Sequence, residues 1–328
     1  LWNYNSIPEM KNQSNRYLFN IEEPGSNPVG AGRDTNKEFI IASIYSQDTR
    51  KGQIDLNRII YSDIRPSRKL MDMFLCNDGL PVSVSNQFKG YHNPGDEFKN
   101  RDYRMACYVN TYASSLKVEN CGYGVCKFAI TINRNAKDES PNYPVLRLAE
   151  VYLNYAEAVM ERYGKIEDQQ LNNSVNKIRA RAGVANLTNA LAEQIRQKTN
   201  TEKTKDQVML DEIRRERAVE LFMEGHRFDD LKRWGIAEEA LNQSRCGAVV
   251  GSADYPTAFI DEEGNATSEY TPGVFTRGTE VVTTGAGDLP CVVLHRATDC
   301  DFGKNDYLWA IPRDQINLNR NLKQNPGY

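Results

Sequence analysis

The chain has 328 residues, of which 40% are hydrophobic, so it can bury a real core in one large domain or two modest ones. The formal net charge of −3 and a pI near 5.8 give no basic field, which argues against nucleic acid as a partner. The longest apolar stretches are short or interrupted by charged side chains, so the sequence predicts no membrane-spanning segment.

The first part of the chain has the composition of loops with a few short elements. Residues 1–37 are rich in Asn, Pro, Gly and Ser, and residues 38–45 form a β-branched and aromatic run that predicts a strand. Apolar positions between 63 and 74 predict a helix, which a following Asn-Asp-Gly turn ends. An irregular stretch then reaches about residue 140 and contains a strand-like piece at 127–132.

The strongest helical pattern begins after Pro144 and ends at Gly164. Two neighbouring apolar stripes repeat at intervals of three and four residues, which predicts a helix packed on two sides. The stripes consist of Leu148, Tyr152, Tyr155 and Val159, and of Ala149, Leu153, Ala156 and Met160. The remaining face is polar and includes Glu157.

Further helices follow in pairs. Residues 168–182 predict a second helix with Gly183 just after its end, so the first two helices form a hairpin. After an insertion at 184–207, the segments from about 205 to 224 and from about 228 to 243 predict a second hairpin. Hairpins of this length are typical of tetratricopeptide-like stacks.

These patterns predict a mainly α fold, in which tetratricopeptide-like helical hairpins form an α-superhelix with long irregular loops and a few short strands. We expect residues 1–328 to form one domain. Its helical-hairpin core lies at about 144–243, and loop-rich segments lie at about 1–140 and 244–306. The last of these contains a strand-like run at 290–294.

The spacing of the cysteines and histidines favours one disulfide and no metal site. Of seven cysteines only Cys121 and Cys126 lie close together in sequence, across a Gly-Tyr-Gly turn, which favours a local disulfide. His92, His226 and His295 share no ligand spacing with the cysteines, so the sequence predicts neither a metal site nor a cofactor.

An acidic and basic cluster near the second hairpin has two interpretations. Two acids about 5 to 9 Å apart can hydrolyse a glycoside, and the cluster is rich in acids. However, Glu216, Glu220 and Glu224 lie one turn apart on one helix among arginines, which favours an ion-pair network that holds helices together. We expect a structural role for the rest of the cluster as well, which comprises Arg217, Arg227, Asp230, Arg233 and Trp234.

Four stretches in fixed order carry a family resemblance. They are 70–79 with the Asn-Arg-Asp-Tyr-Arg motif at 100–104, 146–158 with 176–183, 216–235, and 307–312 with 324–328. Together they resemble the SusD/RagB family of outer-membrane nutrient-binding lipoproteins from about residue 60 to the end. Arg101 and Asp102 fall in the first motif, where Tyr103 occupies a position that is usually proline.

The resemblance implies a non-catalytic protein that binds oligosaccharide or polysaccharide and delivers it to a SusC-like TonB-dependent transporter. It implies the C-terminal part of a protein at the outer membrane and cell surface, whose targeting signal and lipid anchor lie upstream of this chain. RagB-like members bind peptides instead, and the acidic run Asp261-Glu262-Glu263 would suit basic peptides. A glycoside hydrolase is a third alternative, which the missing catalytic motifs disfavour.

A sugar site needs flat aromatic platforms with polar side chains at their edges. Three loop segments meet that description and are the predicted ligand-binding residues: Trp2, Asn3 and Tyr4; Tyr61 and Arg65; Tyr91, His92 and Asn93. The alternative for each aromatic is that it only covers core beneath a loop. The family does not fix its ligand residues in the four motifs, so the resemblance adds no residue to this set.

Overall fold

A computed structural model describes residues 1–52, 60, 64–91, 95–111, 122–249, 279–284 and 287–328 of the chain. Helices predominate, and their bounds are Ser14–Tyr17, Arg68–Met73, Tyr103–Tyr108, Leu148–Tyr163, Asp168–Asn172, Val175–Ala182, Asn189–Thr199, Lys205–Glu220, His226–Arg233, Ala237–Leu241 and Arg313–Leu318. The prediction of a helix-rich fold with a few short strands is confirmed. Among these segments, no helix combines the length and apolar character needed to cross a bilayer.

The helix Leu148–Tyr163 ends as predicted, because Gly164 has φ +69° and its amide donates to the carbonyl of Met160. Only one of its two apolar stripes is fully buried, the one that contains Leu153 and Met160. Tyr155, in the other stripe, is 45% exposed, so the prediction that the helix is packed on two sides was wrong for this face. Periodicity shows that a face is apolar but does not show what covers it.

The predicted second helix is two helices, Asp168–Asn172 and Val175–Ala182. The second ends at Gly183, whose φ of +66° is the left-handed conformation that glycine tolerates best. A Cβ built on Gly183 would come within 2.3 Å of the Tyr103 ring. The turn therefore needs glycine both for its backbone and for close packing.

The insertion at 184–207 was predicted without a helix, but it contains the helix Asn189–Thr199. The hydroxyl of Thr188 accepts a hydrogen bond from the amide of Leu191 and caps the start of this helix. The helix packs against Lys205–Glu220 and buries Leu191 and Ile195 in the shared core. Its apolar pattern is only two turns long, which explains why the sequence reading missed it.

The second hairpin is shorter than predicted. Lys205–Glu220 stops four residues before the predicted end, and the following helix is divided into His226–Arg233 and Ala237–Leu241. Gly235, with φ +70°, lies between these two pieces. Near the start of the chain, the helix expected at 63–74 is described from Arg68 to Met73.

The strands form three small antiparallel sheets. The pairs are Phe39–Ser43 with Tyr143–Arg147, Val109–Thr111 with Tyr123–Val125, and Gly287–His295 with both Arg245–Val249 and Thr279–Thr284. The predicted strands near residues 39 and 290 are confirmed. The predicted strand at 127–132 was wrong, because the backbone leaves the extended region at Phe128, where φ is +65°.

Two main apolar cores hold these elements. One core joins the small sheets to the N-terminal loops and includes Phe19, Tyr108 and Phe128. The other joins the helical hairpins and includes Leu153 and Met209. Fully burying one such side chain contributes about 1.5–3 kcal/mol, so each core stabilises its own layer substantially.

Candidate functional site

The first predicted platform is covered. Trp2 is 3% exposed, its indole N–H donates to the hydroxyl of Thr35 at 3.1 Å, and its amide donates to Glu38 at 2.9 Å. Tyr4 is half-buried with its ring centroid 4.8 Å from that of Trp2, and Asn3 is exposed. The interpretation of Trp2 as an open platform is therefore corrected, because its indole fills the core beneath the N-terminal loop.

The third predicted platform is covered as well. Tyr91 is 5% exposed, its hydroxyl lies 3.2 Å from Asp72, and the guanidinium of Arg68 lies 5.0 Å from its ring centroid. Burial raises the pKa of Tyr91, which keeps the phenol neutral. In this structure the ring of Tyr91 is a core side chain and does not offer a free face.

Of the other predicted ligand residues, the structure describes only Arg65. Arg65 is half-buried, and its Nη1 donates to the carbonyl of Ile64 at 3.1 Å. Tyr61, His92 and Asn93 lie outside the described residues, so their role stays a prediction.

The acids of the second hairpin lie in a buried ion-pair network. Glu220 accepts from Arg147 at 2.7 Å and from Arg181 at 2.6 Å through one oxygen, and from Arg104 at 2.9 Å through the other. All four side chains are at most 1% exposed. Charges buried this completely persist only when they are paired and hydrogen-bonded, and here three arginines surround one carboxylate.

Two further acids, one on the same helix and one in the turn that follows it, extend the network. Glu224 accepts from Arg147 at 2.6 and 2.7 Å, and from Lys127 at 2.6 Å. Glu216 lies 2.6 Å from Arg104. The network therefore joins the strand that carries Arg147 to the end of the helix Lys205–Glu220 and to the loop that carries Lys127.

The first family-like motif supports the same region. Asp102 caps the helix Tyr103–Tyr108 by accepting from the amide of Arg104, and it also pairs with the Arg104 guanidinium at 2.6 Å. Arg101 donates to the carbonyls of Met71 at 2.8 Å and Phe74 at 2.7 Å. These bonds satisfy carbonyls at the end of Arg68–Met73, which have no partner within the helix.

The network acids are held ionised. Burial alone would raise their pKa values, but the surrounding arginines hold the pKa values of Glu216, Glu220 and Glu224 below the ordinary value. A glycoside hydrolase needs one carboxyl whose pKa is raised so that it can donate a proton. The pKa values of these three acids are lowered, which is opposite to that requirement.

A second polar cluster lies between the helices Leu148–Tyr163 and His226–Arg233. Arg233 donates to both oxygens of Glu157 at 2.6 Å and to Asp230 at 2.9 Å. Arg217 donates to the other oxygen of Asp230 at 2.8 Å. Such bidentate pairs fix the geometry of a helix contact.

Trp234 completes this contact. Its indole N–H donates to Glu157, and the guanidinium groups of Arg214 and Arg227 lie 4.8 and 5.8 Å from its ring centroid. The indole thus donates a hydrogen bond from its edge and makes cation–π contacts with its ring, an arrangement that packs helices together.

The cysteine and histidine side chains that the structure describes form no metal-binding cluster. The Cys126 thiol is buried, is not part of a disulfide, and donates to the carbonyl of Cys107 at 3.2 Å, so the predicted disulfide was wrong; Cys121 itself lies outside the described residues. Within the part of the chain that the structure describes, no three His, Cys, Asp or Glu side chains are grouped as a metal site requires.

One cavity has the composition of a ligand site. It measures about 270 Å³ and contains three aromatic rings that the sequence reading did not single out, those of Tyr45, Phe128 and Tyr143. The rings of Phe128 and Tyr143 are stacked, with centroids 5.5 Å apart. The other lining residues are Gly52, Ile60, Ile64, Glu139, Pro141, Asn142 and Met223. Since these residues come from separate segments, no local pattern in the sequence could have grouped them.

Comparisons with known proteins agree with the fold. A model of the SusD family matches residues 108–328. A SusD-like carbohydrate binding protein from Bacteroides fragilis matches at 22% identity with a TM-score of 0.60, covering 93% of this chain and 58% of its own. A second SusD-like protein from Bacteroides fragilis matches at 21% identity with a TM-score of 0.57, covering 90% of this chain and 55% of its own.

At this level of identity the solved structures share the fold, and the chain spans little more than half of their length. Among curated proteins no match was found. The family match covers about two thirds of the chain, including the helical hairpins and the three acids of the buried ion-pair network, whereas Arg104 of that network lies before the matched residues. The chain belongs to the SusD family.

Proposed function

We propose that this chain binds oligosaccharide or polysaccharide without catalysis. The observation that carries the proposal is membership of the SusD family, together with the fold shared with a protein described as carbohydrate binding. The aromatic-lined cavity supports it, since flat rings bordered by polar side chains suit a sugar.

The state of the acids supports binding in preference to hydrolysis. Glu220 and Glu224, which invited a catalytic interpretation, are saturated by arginine and lysine and are buried. Their pKa values are held below the ordinary value, so neither can act as a general acid at neutral pH.

We infer further that the bound glycan is delivered to a SusC-like TonB-dependent transporter at the outer membrane, on the cell surface, with a lipid anchor in the full-length protein. In this proposal residues 1–328 act as one domain. The helical core at about 144–243 provides the rigid support, and the loops at about 1–140 and 244–306 present the ligand.

Affinity electrophoresis tests glycan binding directly. The purified protein is run in native gels that contain soluble starch, β-glucan, mannan or pectin, with a gel free of glycan as control. Retardation by one class supports glycan capture and names the substrate. Retardation by none, with binding of basic peptides in a pull-down, would favour the peptide alternative, and release of reducing sugar would overturn the non-catalytic assignment.

A further inference from the structure

Glu139 is a buried carboxylate in the wall of the aromatic-lined cavity. It is 3% exposed, and its Oε2 accepts no hydrogen bond from any residue that the structure describes. Its backbone is nevertheless fixed, because the amide of Gly52 donates to the Glu139 carbonyl at 2.8 Å. A buried acceptor without a donor costs free energy, which a donor on a bound ligand would recover.

The cavity around Glu139 is lined by both apolar and polar residues. Tyr45, Phe128 and Tyr143 supply ring surfaces, and Asn142 adds an amide beside them. The Asn142 Oδ1 already accepts from the amide of Tyr45 at 3.0 Å and from a nearby arginine, so this side chain is held in place. The volume of about 270 Å³ lies below the range of about 300–1,000 Å³ that drug-sized ligands occupy. A single ring suits this space better than an extended chain.

Two lining residues have backbone conformations that non-glycine residues rarely adopt. Phe128 has φ +65° and Met223 has φ +63°. Each is next to a member of the ion-pair network, since Lys127 precedes Phe128 and Glu224 follows Met223. Backbone strain of this kind persists where the surroundings enforce it, and it is concentrated at ligand sites. The buried charges thus hold two walls of the cavity in place.

Charges around the cavity discriminate between possible ligands. The guanidinium of Arg50 lies 4.6 Å from the Tyr45 ring centroid, and Lys51 pairs with Asp138 at 2.9 Å next to Glu139. Arg33 donates to Asn142 at 3.0 Å. A cationic ligand would be repelled by the guanidinium groups of Arg50 and Arg33, whereas a neutral ligand with hydroxyl donors could satisfy Glu139 without that repulsion.

We propose that this cavity is a subsite for one neutral sugar residue, which stacks on Tyr143 and Tyr45 and donates hydroxyl hydrogen bonds to Glu139. The assignment rests on the proposed glycan binding and specifies where one sugar unit is held. An amine, such as a lysine side chain of a peptide, is the competing ligand, because it would also pair with the carboxylate.

The test uses saturation-transfer difference NMR with the methyl glycosides of glucose, galactose, mannose and xylose as probes. The variants are Glu139→Gln, which keeps the side-chain volume, and Tyr143→Ala, which removes a ring that is 39% exposed. Matched controls are Glu202→Gln and Tyr163→Ala, both exposed and outside the cavity. Circular dichroism checks that each variant is folded. If Glu139→Gln does not fold, the result of Tyr143→Ala decides the test.

We expect at least one glycoside to bind, and each cavity variant to weaken its affinity at least about tenfold, the loss typical for a hydrogen bond to a charged group, while the controls bind normally. Glycan binding that is equal in the wild type and in both cavity variants would overturn the subsite and leave the proposed function intact. Absence of binding to all glycosides and to the polysaccharide panel would overturn both. Binding of lysine-containing peptides alone, lost in Glu139→Gln, would overturn the assignment of a sugar.

Discussion

Two neighbouring groups of buried polar side chains are built in opposite ways. In the ion-pair network both oxygens of Glu220 and both oxygens of Glu224 accept from arginine or lysine. In the adjacent cavity, Glu139 is similarly buried, but its Oε2 has neither a hydrogen bond nor an ion pair among the described residues. Glu216 of the network also lacks a hydrogen bond, but it lies 2.6 Å from Arg104. The two groups meet where Met223 lines the cavity next to Glu224.

The difference distinguishes side chains that support the fold from a side chain that can recognise a ligand. A buried network of paired charges contributes geometry, because removing one partner leaves an uncompensated charge behind. A rigidly held acceptor without a partner keeps its capacity for a ligand. The comparison can be tested by perturbing each group separately and measuring stability.

Acidification should have the largest effect, because it acts on several network carboxylates together. The folded-state pKa values of Glu216, Glu220 and Glu224 lie below the ordinary value of 4.5, so near and below pH 4.5 the unfolded chain binds more protons than the folded chain. The stability that these three acids contribute is therefore fully present well above pH 4.5 and is lost as the pH falls towards the folded-state values. Urea unfolding at pH 7, 5, 4 and 3 measures this, and a constant midpoint would contradict it.

Glu220→Gln should have the next largest effect. It removes a buried charge that three arginines share, so we expect the free energy of unfolding to fall by about 3–5 kcal/mol. Chemical denaturation measures the loss. The control is Glu161→Gln, whose carboxylate is 53% exposed and pairs with Arg214 at the surface, and which should cost less than about 1 kcal/mol. Similar losses in both variants would show that the buried network stabilises the fold no more than a surface ion pair does.

Lys127→Met should have a smaller effect than Glu220→Gln. The Lys127 ammonium donates to the carbonyl of Phe222 at 2.7 Å, which loses this donor, whereas Glu224 keeps both bonds to Arg147. We expect a loss of about 1–3 kcal/mol at pH 7, measured by denaturation.

The same variant has a pH signature. Burial lowers the pKa of Lys127 to about 8, against an ordinary value of 10.5. Between these values the unfolded chain binds the proton and the folded chain does not, so wild-type stability gains a contribution that rises with pH. Comparing the two proteins at pH 7.5 and 9.5 isolates this contribution. A gain of the same size in Lys127→Met would assign it to another group.

Glu139→Gln should have the smallest effect on stability. Since Oε2 of Glu139 has no partner among the described residues, its charge stabilises the fold little, and we expect a change of less than about 1 kcal/mol in either direction. The same substitution at Glu220 is the matched comparison, measured in one denaturation series. A loss at Glu139 as large as that at Glu220 would place Glu139 in the supporting network and remove the contrast between the two groups.

Local patterns determined the helices whose boundaries are set by special residues. Gly164 and Gly183 end their helices in the left-handed conformation, as their positions in the sequence predict. The spacing of Glu216, Glu220 and Glu224 by one turn also predicted a shared face and favoured ion pairs, and the structure places all three among arginines. These features depend on intervals of a few residues, which a sequence displays directly.

Other features depended on contacts between distant segments. The run at 127–132 has the composition of a strand, but the Lys127 ammonium is drawn to Glu224, and the backbone turns at Phe128. Trp2 has the loop context of a sugar platform, but Glu38 and Thr35 hold it in the core. Burial and pairing with residues more than thirty positions away cannot be derived from local composition.

By itself, the sequence determined the helix-rich class, the main hairpin and the family, because periodicity, helix-ending glycines and ordered motifs are local properties. Only the tertiary structure decided which aromatic rings are available. It covered Trp2 and Tyr91 and brought Tyr45, Phe128 and Tyr143 together around Glu139. The reason is physical: a cavity is defined by packing among segments that are far apart in the chain, so local composition does not reveal which side chains line it.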